Sequence, residues 1–335
     1  MPVISADEFA QLAERYRPGL RAYCYRIAGS IEESEDLVQD TYLRAWQNLD
    51  RFEGRSSLRL WLYRIATTTC LNALETRTRR SLPSGLASPS ETAAVRLGAA
   101  EPDVPWLQPA PDSLLHAATD DPAIVAAHRS SVRLAFIAAL QHLSARQRAV
   151  LVLHDVLGWK AKEVAEMLDT STAAVNSALQ RARADLAQVQ PREDEVDEPP
   201  EPEMRELLDH YMSAFIHADV AALAELLRAD VELEMPPIPT WFVGRDAVCG
   251  FLGEAVVDAP DQWRMIPTRA NGALALAMYK RADDGRFHAH GLDVLSISDG
   301  RIARIVAFMD SAIVAAFGLP HIFPSPSAPD IGTPT

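Results

Sequence analysis

Side chains that can form paired hydrogen bonds with DNA bases recur along residues 172–187 of the sequence. Arginine binds guanine, and asparagine or glutamine binds adenine, through two hydrogen bonds each. Apolar residues recur in the same stretch every three or four positions, which predicts a helix with one buried face and one polar face. The polar face carries the candidate base-reading residues Thr172, Asn176, Gln180, Arg181 and Arg183.

The elements that would position these side chains lie directly upstream. Ser144 and Gln147 have the spacing of a capping box, and the helix that they begin ends at Gly158. A short helix is predicted over residues 162–168, and residues 169–171 turn the chain into the polar helix. This order is typical of a helix-turn-helix, whose second helix enters the major groove of DNA. An ordinary helical hairpin has the same pattern, and the motif alone does not separate classes of DNA-binding protein.

A second amphipathic helix is predicted near the N-terminus. Ser30 and Glu33 form a capping box there, and apolar residues then recur with helical spacing over residues 37–49. At this spacing Trp46 and Trp61 are predicted to be core residues rather than base-stacking residues. The polar side of the helix carries Asp36, Gln39, Asp40 and Arg44.

The charge of the chain does not exclude a nucleic-acid partner. The formal net charge is −14, which taken alone argues against a nucleic-acid-binding protein. The acidity is concentrated, however, in two linkers and in residues 203–335, which hold 10 Lys+Arg and 18 Asp+Glu. Residues 1–80 hold 12 Lys+Arg and 11 Asp+Glu. Because local fields decide contact with DNA, this first block remains compatible with it.

Proline-rich and acidic stretches divide the chain into domains. Residues 81–122 carry seven prolines among Ala, Ser and Gly and predict a flexible linker. Residues 190–202 predict a second linker that is acidic and self-repelling. The remaining blocks are two all-α domains, an α+β domain and a proline-rich tail, over residues 1–80, 123–189, 203–320 and 321–335.

The sequence predicts a cytoplasmic protein without membrane association. It has no run of about 18 apolar residues, and its first residues lack the basic and apolar segments of a secretory signal. Cys24, Cys70 and Cys249 are isolated in the sequence and have no metal-type spacing. They are predicted to be reduced thiols.

Three segments together resemble the extracytoplasmic-function (ECF) family of bacterial sigma factors. Residues 34–46, SEDLVQDTYLRAW, are similar to the helix by which that family binds core RNA polymerase. Residues 52–66, FEGRSSLRLWLYRIA, are similar to the part that melts and reads the −10 promoter element. Residues 143–187 are similar to the domain that reads the −35 element. Finding all three in this order is far more specific than any one of them.

The resemblance implies a role for each group of residues. The polar face of helix 34–46 would dock on a coiled coil of the polymerase β′ subunit, and helix 172–187 would read the −35 element. Melting requires a pocket for an extruded base and positive charge along the exposed strand. Residues 50–57 are the candidate pocket, and the candidate cations for the −10 region are Arg55, Arg59, Arg64, Arg77, Arg79 and Arg80.

The C-terminal block resembles the SnoaL-like, ketosteroid-isomerase-like cone, in which helices close a curved antiparallel sheet. Some ECF sigma factors carry such a domain, and residues 235–246, MPPIPTWFVGRD, are similar to theirs. Helices are predicted around residues 207–215 and 223–227. Strands separated by tight turns are predicted over residues 263–270, 273–281, 287–298 and 301–310.

A curved sheet wrapped by helices encloses a cavity, which in this fold often binds a small apolar molecule. Asp293 and His290 are candidate bases, although the sequence does not place them together with an oxyanion donor. Two histidines without a third ligand do not predict a metal site. The candidate lining residues are Tyr211, Trp241, Met278, His288, His290, Asp293 and Phe308.

The sequence thus predicts a sigma factor without catalytic activity, cofactor or metal, whose partners are core RNA polymerase, promoter DNA and a possible small apolar ligand. Its C-terminal domain is predicted to regulate it. A DNA-binding regulator that acts without core polymerase is one alternative, against which helix 34–46 argues. An isomerase-like or cyclase-like enzyme fused to a DNA-binding module is another, against which the lack of a clear catalytic constellation argues.

Overall fold

The computed structural model describes residues 6–52, 54, 56–75, 79–90, 92, 97–101, 103–115, 131, 133–188 and 201–324. The chain forms two compact units. We call the first the helical unit, and it comprises Met1–Leu82, Pro102–Glu195 and Ala270–Gly272. We call the second the sheet unit, and it comprises Pro83–Glu101, Val196–Arg269 and Ala273–Thr335.

The helices of the helical unit begin where the sequence supplies a side-chain cap. The hydroxyl of Ser30 accepts a hydrogen bond from the Glu33 amide, and Ser144 and Gln147 form the predicted capping box. The described helices are α1 Ala6–Glu14, α2 Arg17–Ala28, α3 Ile31–Gln47, α4 Leu58–Leu74, α5 Asp112–Leu115, α6 Leu134–Leu140, α7 Ala145–Leu151, α8 Ala161–Met167 and α9 Thr172–Gln188, with a π-helical turn at Val152–Val156.

Two buried arginines join the N-terminal helices to the helices that follow residue 130. Arg148 of α7 donates hydrogen bonds to the carbonyl oxygen of Ile27 in α2 and to Gln141 Oε1. Arg26 of α2 donates to Ala22 O, at 2.9 Å, and to Ser131 Oγ, at 3.4 Å. Burial lowers the pKa of both guanidinium groups to about 10. Within this unit the predicted domains 1–80 and 123–189 therefore pack against each other.

The segment predicted as a flexible linker is ordered where the structure describes it, which corrects that prediction. In the helical unit, the Leu107 amide donates to Ser81 O and the Gln108 amide donates to Gly29 O, each at 3.0 Å. Leu82 and Leu107 are buried. Proline content indicated only that these residues avoid regular helix and sheet, and their backbone is instead satisfied by turns and bridges.

The sheet unit is a curved sheet covered by helices. Its helices are α10 Glu201–His217, α11 Val220–Leu226, α12 Arg245–Phe251 and α13 Ser311–Ala316, with a π-helical turn at Leu252–Val256. Its strands are β1 Leu227–Met235, β2 Ile238–Val243, β3 Trp263–Ala270, β4 Ala273–Arg281, β5 Phe287–Ser298 and β6 Arg301–Phe308, in the order β2-β1-β6-β5-β4-β3.

The last four strands match the predicted ones closely, but β1 and β2 were not predicted. Leucines at 223, 226 and 227 continue a helical spacing, so the pattern does not reveal that the helix ends and β1 begins at Leu227. Strand β1 pairs with β6 in parallel, while β1–β2, β4–β5 and β5–β6 are antiparallel. The predicted curved antiparallel sheet is therefore confirmed, except that its β1–β6 pair is parallel.

The sheet unit also holds the other half of the predicted flexible linker, which we call the seated segment, residues 83–101. The Ser84 amide donates to Glu234 Oε2 at 2.8 Å, and the Ser90 amide donates to Trp241 O at 2.8 Å. The Glu101 amide donates to Pro237 O at 3.0 Å. The described part of the segment is thus bonded to β1, to β2 and to the turn between them.

The proline-rich tail was predicted to begin at residue 321, but its first residues pair with the sheet. The Ala289 amide donates to His321 O at 2.8 Å, and the Phe323 amide donates to Phe287 O at 2.8 Å. The first tail residues are therefore hydrogen-bonded to the first residues of β5. Residues 325–335 and 189–200 lie outside the described residues. Among the helices that the structure describes, none combines the length and the apolar character that a bilayer span requires.

Candidate functional site

The helix-turn-helix presents its polar helix α9 to solvent. Asp169 adopts a positive φ of 48° in the turn, and Ser171 Oγ accepts a hydrogen bond from the Ala174 amide to begin α9. Val175 and Leu179 are buried. The five predicted base-reading residues, Thr172, Asn176, Gln180, Arg181 and Arg183, are all exposed.

One of these five is already engaged within the protein. Arg183 forms a two-point ion pair with Asp155, with N···O distances of 3.0 and 2.7 Å. Burial of Asp155 opposes ionisation, but hydrogen bonds from Arg183 and His154 outweigh it and lower the pKa of the carboxyl group. Arg181 has no side-chain partner among the described residues. Arg181 is therefore better placed than Arg183 to meet DNA.

The polar face of α3 is exposed and borders an apolar patch. Asp36, Gln39, Asp40 and Arg44 are all exposed. Beside them, Leu43 is 56% exposed and Trp46 is 50% exposed. The prediction that Trp46 is a core residue is wrong, because half of its side chain is exposed, although its ring packs against Phe9 at a centroid distance of 6.3 Å. Trp61 is half-buried and packs on Phe52 at 5.0 Å.

Most of the described arginines predicted to face the −10 element are held by the protein itself. Arg59 lies over the ring of Trp159, and Arg79 is 3.0 Å from His142 Nδ1. Arg80 donates to Trp106 O and forms an ion pair with Glu33, both at 2.6 Å. Arg64 is exposed. Arg55 and Arg77 lie outside the described residues.

The sheet unit contains a cavity of about 160 Å³ between the sheet and helix α10. Five of the predicted lining residues line it: Tyr211, Met278, His290, Asp293 and Phe308. The predictions for Trp241 and His288 are wrong. The indole of Trp241 donates to Ala87 O of the seated segment at 2.8 Å. His288 pairs with Asp284 at 2.9 Å outside the cavity.

The error at His288 has a structural cause. The register of β4 and β5 shifts between the pairs Met278–Gly291 and Tyr279–Ala289, so that His290 is an extra residue in β5. Such a bulge breaks the alternation of faces on which the grouping of His288 with His290 depended. A bulge of this kind has no marker in this sequence beyond Gly291, where any side chain would collide with the carbonyl oxygen of Phe308.

A polar pair lies in the otherwise apolar cavity. Tyr211 donates a hydrogen bond to Asp293 Oδ2 at 3.2 Å, and both residues are buried. Burial raises the pKa of Asp293 to about 7, and burial beside Asp293 raises the pKa of Tyr211 well above its usual value. Burial and the nearby Lys280 lower the pKa of His290. A carboxyl group held largely neutral near pH 6 can donate a hydrogen bond.

The lining residues that were not predicted include Leu97, Trp263 and Lys280. Lys280 continues the face of Met278 along β4, so strand alternation could have indicated it. Leu97 comes from the seated segment, more than 100 residues before α10, and no local pattern indicates it. Within the described ranges, no three His, Cys, Asp or Glu side chains come together as metal ligands would.

Helices that lead into a helix-turn-helix, followed by a cone-shaped sheet, are the arrangement expected of a sigma-70-class transcription initiation factor with an added domain. Family comparison agrees: sigma-70 region 2 matches residues 12–80, sigma-70 region 4 matches residues 133–186, and the SnoaL-like domain matches residues 208–305.

The chain belongs to the ECF RNA polymerase sigma factors. It is 47% identical over 318 residues to ECF RNA polymerase sigma factor SigG of Mycobacterium tuberculosis, covering 93% of this chain and 84% of the relative. It is 31% identical to SigJ of the same organism over 65% of this chain and 62% of that protein. The crystal structure of M. tuberculosis SigJ shares the fold, with a TM-score of 0.57 and 21% identity over 93% of this chain and 100% of that one.

Proposed function

We propose that this sigma factor binds core RNA polymerase through the exposed face of α3. Asp36, Gln39, Asp40 and Arg44 supply charge and hydrogen bonds, and Leu43 and Trp46 supply apolar area beside them. A polar rim around exposed aromatic and aliphatic side chains is the usual anatomy of a protein interface. The partner surface is the coiled coil of the polymerase β′ subunit, and the cytoplasm, where core polymerase works, is the site of action.

Promoter reading is assigned to α9 and to the arginines of the N-terminal helices. Asn176, Gln180 and Arg181 are exposed on α9 and suit the major-groove edges of adenine and guanine. Thr172 lies at the start of the same face, and Arg183 would have to leave Asp155 to join it. Among the −10 candidates, Arg64 is available as described, while Arg59, Arg79 and Arg80 must first be released.

In the described arrangement of the helical unit, the −10 and −35 domains lie too close together to read both promoter elements at once. The −35 and −10 elements are about 25 base pairs apart, or roughly 85 Å at about 3.4 Å per base pair. A compact unit of about 180 residues, the size of the helical unit, has a radius of gyration of only about 16 Å. Contacts such as Arg148 to Ile27 and Arg59 to Trp159 must therefore break before both elements can be read. This closed arrangement is the single observation on which the regulatory part of the proposal rests.

The sheet unit regulates this opening by holding the seated segment. Nineteen residues, 83–101, could span about 65 Å if fully extended at about 3.4 Å each. Hydrogen bonds from Ser84, Ser90 and Glu101 to β1, β2 and the turn between them prevent the segment from extending this far. Release of the segment lets the −10 and −35 domains separate. We assign the sheet unit a regulatory role and no reaction, because Asp293 and Tyr211 bond to each other, and His290, the other candidate base in the cavity, packs edge-on against Trp263.

Transcription in vitro with purified core polymerase and a promoter library tests the proposed function. Asp40→Arg places like charge in the proposed interface and should lower both co-purification with core and transcript yield. Asp209→Arg, a matched charge reversal on the exposed face of α10, should leave co-purification and transcript yield unchanged. Equal co-purification of the two variants would show that the α3 face is wrongly assigned.

A further inference from the structure

A cleft in the helical unit is lined by three arginines that come from both promoter-reading domains. Arg79 and Arg80 follow α4 in the first domain, and Arg148 belongs to α7 in the second. Among the described lining residues, Glu33 is the only acid. At about 400 Å³ the cleft is more than twice the size of a cavity of about 150 Å³ that holds a benzene molecule. It therefore has the charge and the room for a small anion with several negative charges.

Arg148 carries a buried charge that no described acid neutralises. It is 5% exposed, and its terminal nitrogens donate hydrogen bonds to neutral acceptors, namely Ile27 O, Leu143 O and both oxygens of Gln141. Its Nε atom has no hydrogen-bond partner among the described residues. Burial and the nearby Arg79 lower the pKa of Arg148 to about 10, so the group stays charged at neutral pH. A buried cation without a counterion costs free energy, part of which an anion beside it recovers.

The two arginines of the first domain do not balance this charge. Arg80 forms an ion pair with Glu33, whereas the described side-chain partner of Arg79 is the His142 ring, at 3.0 Å. Burial and Arg79 lower the pKa of His142, so the ring is neutral at pH 7. Three guanidinium groups and one carboxylate give the described lining a net charge of +2. Guanidinium groups offer parallel N–H donors that match the oxygens of a phosphate group.

We propose that the cleft binds a small molecule through a diphosphate group, which Arg79 and Arg80 hold from one domain and Arg148 holds from the other. Two linked phosphates supply the negative charge that the lining lacks, and the remaining volume admits the group that carries them. Such a ligand joins the two domains and so favours their closed arrangement. The inference goes beyond the proposed function, because this binding is a property of the free chain.

The dimensions of the cleft argue against DNA as the source of the phosphates. A volume of about 400 Å³ cannot admit a double helix, whose major groove alone is about 12 Å wide. Arg148 is buried too deeply to reach a strand that runs over the surface. In the closed arrangement the ligand instead occupies Arg79 and Arg80, both of which were predicted to face the −10 element.

Calorimetry on the full-length chain tests the proposal with inorganic pyrophosphate as the probe and sulfate as the control anion. At about 0.15 M salt, where exposed charges are largely screened, pyrophosphate should bind at least about tenfold more tightly than sulfate. Arg79→Met should weaken pyrophosphate binding at least about tenfold, because a hydrogen bond to a charged group is lost. Arg146→Met removes an exposed arginine of α7 that does not line the cleft, and it should leave the affinity unchanged.

A variant with the opposite expected sign separates binding from an effect on packing. Glu33→Gln removes the acid of the lining and should tighten pyrophosphate binding by about three- to tenfold, because a repulsion is lost. Glu32→Gln makes the same change at an exposed neighbour outside the lining and should have little effect. On binding, pyrophosphate should also slow hydrogen exchange in residues 79–82 and 140–148.

Several outcomes would overturn the proposal. These are equal affinities for pyrophosphate and sulfate, equal effects of the two arginine variants, and equal effects of the two glutamine variants. Loss of promoter binding by Arg79→Met with an unchanged affinity for pyrophosphate would assign this arginine to DNA instead. Transcription by the ligand-free chain tests the proposed function separately, so the two failures are distinguishable.

Discussion

The guanidinium carbon of Arg59 lies 4.3 Å from the centroid of the Trp159 ring. Arg59 belongs to α4, beside the predicted −10-reading loop, and Trp159 lies between the two helices that precede the turn into α9. Tyr63 packs on the same indole at 5.6 Å. One cation–π contact therefore occupies a candidate DNA-binding arginine and fastens the two promoter-reading domains together.

This contact should be measurable as a coupling energy. In urea unfolding, the effects of Arg59→Met and Trp159→Leu should be non-additive by about 0.5–2 kcal/mol, the range for partly buried cation–π pairs. Arg64→Met is the matched control on the exposed side of α4 and should be additive with Trp159→Leu. Additivity of the first pair within about 0.3 kcal/mol would show that the contact contributes nothing.

Arg181 and Arg183 should differ in their effect on DNA binding. Arg181→Ala should lose about 1–3 kcal/mol of discrimination at one or two positions of the −35 element if it contacts a base edge. A phosphate contact would weaken all sequences alike and reduce the salt dependence. Arg183→Ala mainly removes an exposed ion pair with Asp155 and should change stability by less than about 1 kcal/mol. Binding of variant promoters at several salt concentrations distinguishes these outcomes.

Asp293 should make the sheet unit less stable as the pH rises. Because its pKa is raised in the folded state to about 7, the folded chain binds a proton that the unfolded chain has already released. The wild type should therefore lose stability from about pH 4 to pH 7, at about 1.4 kcal/mol per unit and about 4 kcal/mol in all. Asp293→Asn should lack this loss, and exposed Asp209→Asn should retain it. Denaturant unfolding at each pH, followed in the sheet unit, measures the difference.

The seated segment should be protected from hydrogen exchange by the sheet unit. Trp241→Phe removes the indole donor to Ala87 O and should speed exchange in residues 84–101 by about five- to tenfold, since one such bond contributes about 1 kcal/mol. Trp263→Phe removes an equivalent bond to Val256 O and serves as the control. If both variants left the segment equally protected, the Trp241 bond would not hold it in place.

The thiols should differ sharply in reactivity. Cys24 and Cys70 are fully buried with their sulfur atoms 3.7 Å apart, whereas Cys249 is half-buried. The hydrogen bond that Cys24 shares with Cys70, together with burial, raises the pKa of Cys24 well above its usual value. A thiol reagent should therefore modify Cys249 in the native protein, slowly because its pKa is also raised, and the other two only after unfolding. Rapid labelling of all three would contradict the described packing.

Local patterns were sufficient for most of the fold. The caps at Ser30 and Ser144, the turn at Asp169 and strands β3 to β6 follow from the spacing of polar and apolar residues over a few positions. The errors concern contacts between distant parts of the chain. Cys24 and Cys70 look isolated in the sequence, and Trp46 has core spacing although half of its side chain stays exposed. A bulge at His290 moves His288 out of the cavity without a change in composition.

The segment that was predicted to be a flexible linker also determines which residues would have to be exchanged together between members of the family. Leu97 forms part of the cavity wall, and the amides of residues 84, 90 and 101 are bonded to β1, β2 and their turn. The transplantable unit thus starts at Pro83, in the first third of the chain, and not at helix α10. A chimaera that grafts only the last third of this protein onto another sigma factor would lack the part of the cavity wall that Leu97 supplies, and a foreign linker would have to replace the hydrogen bonds that residues 84, 90 and 101 make with the sheet unit.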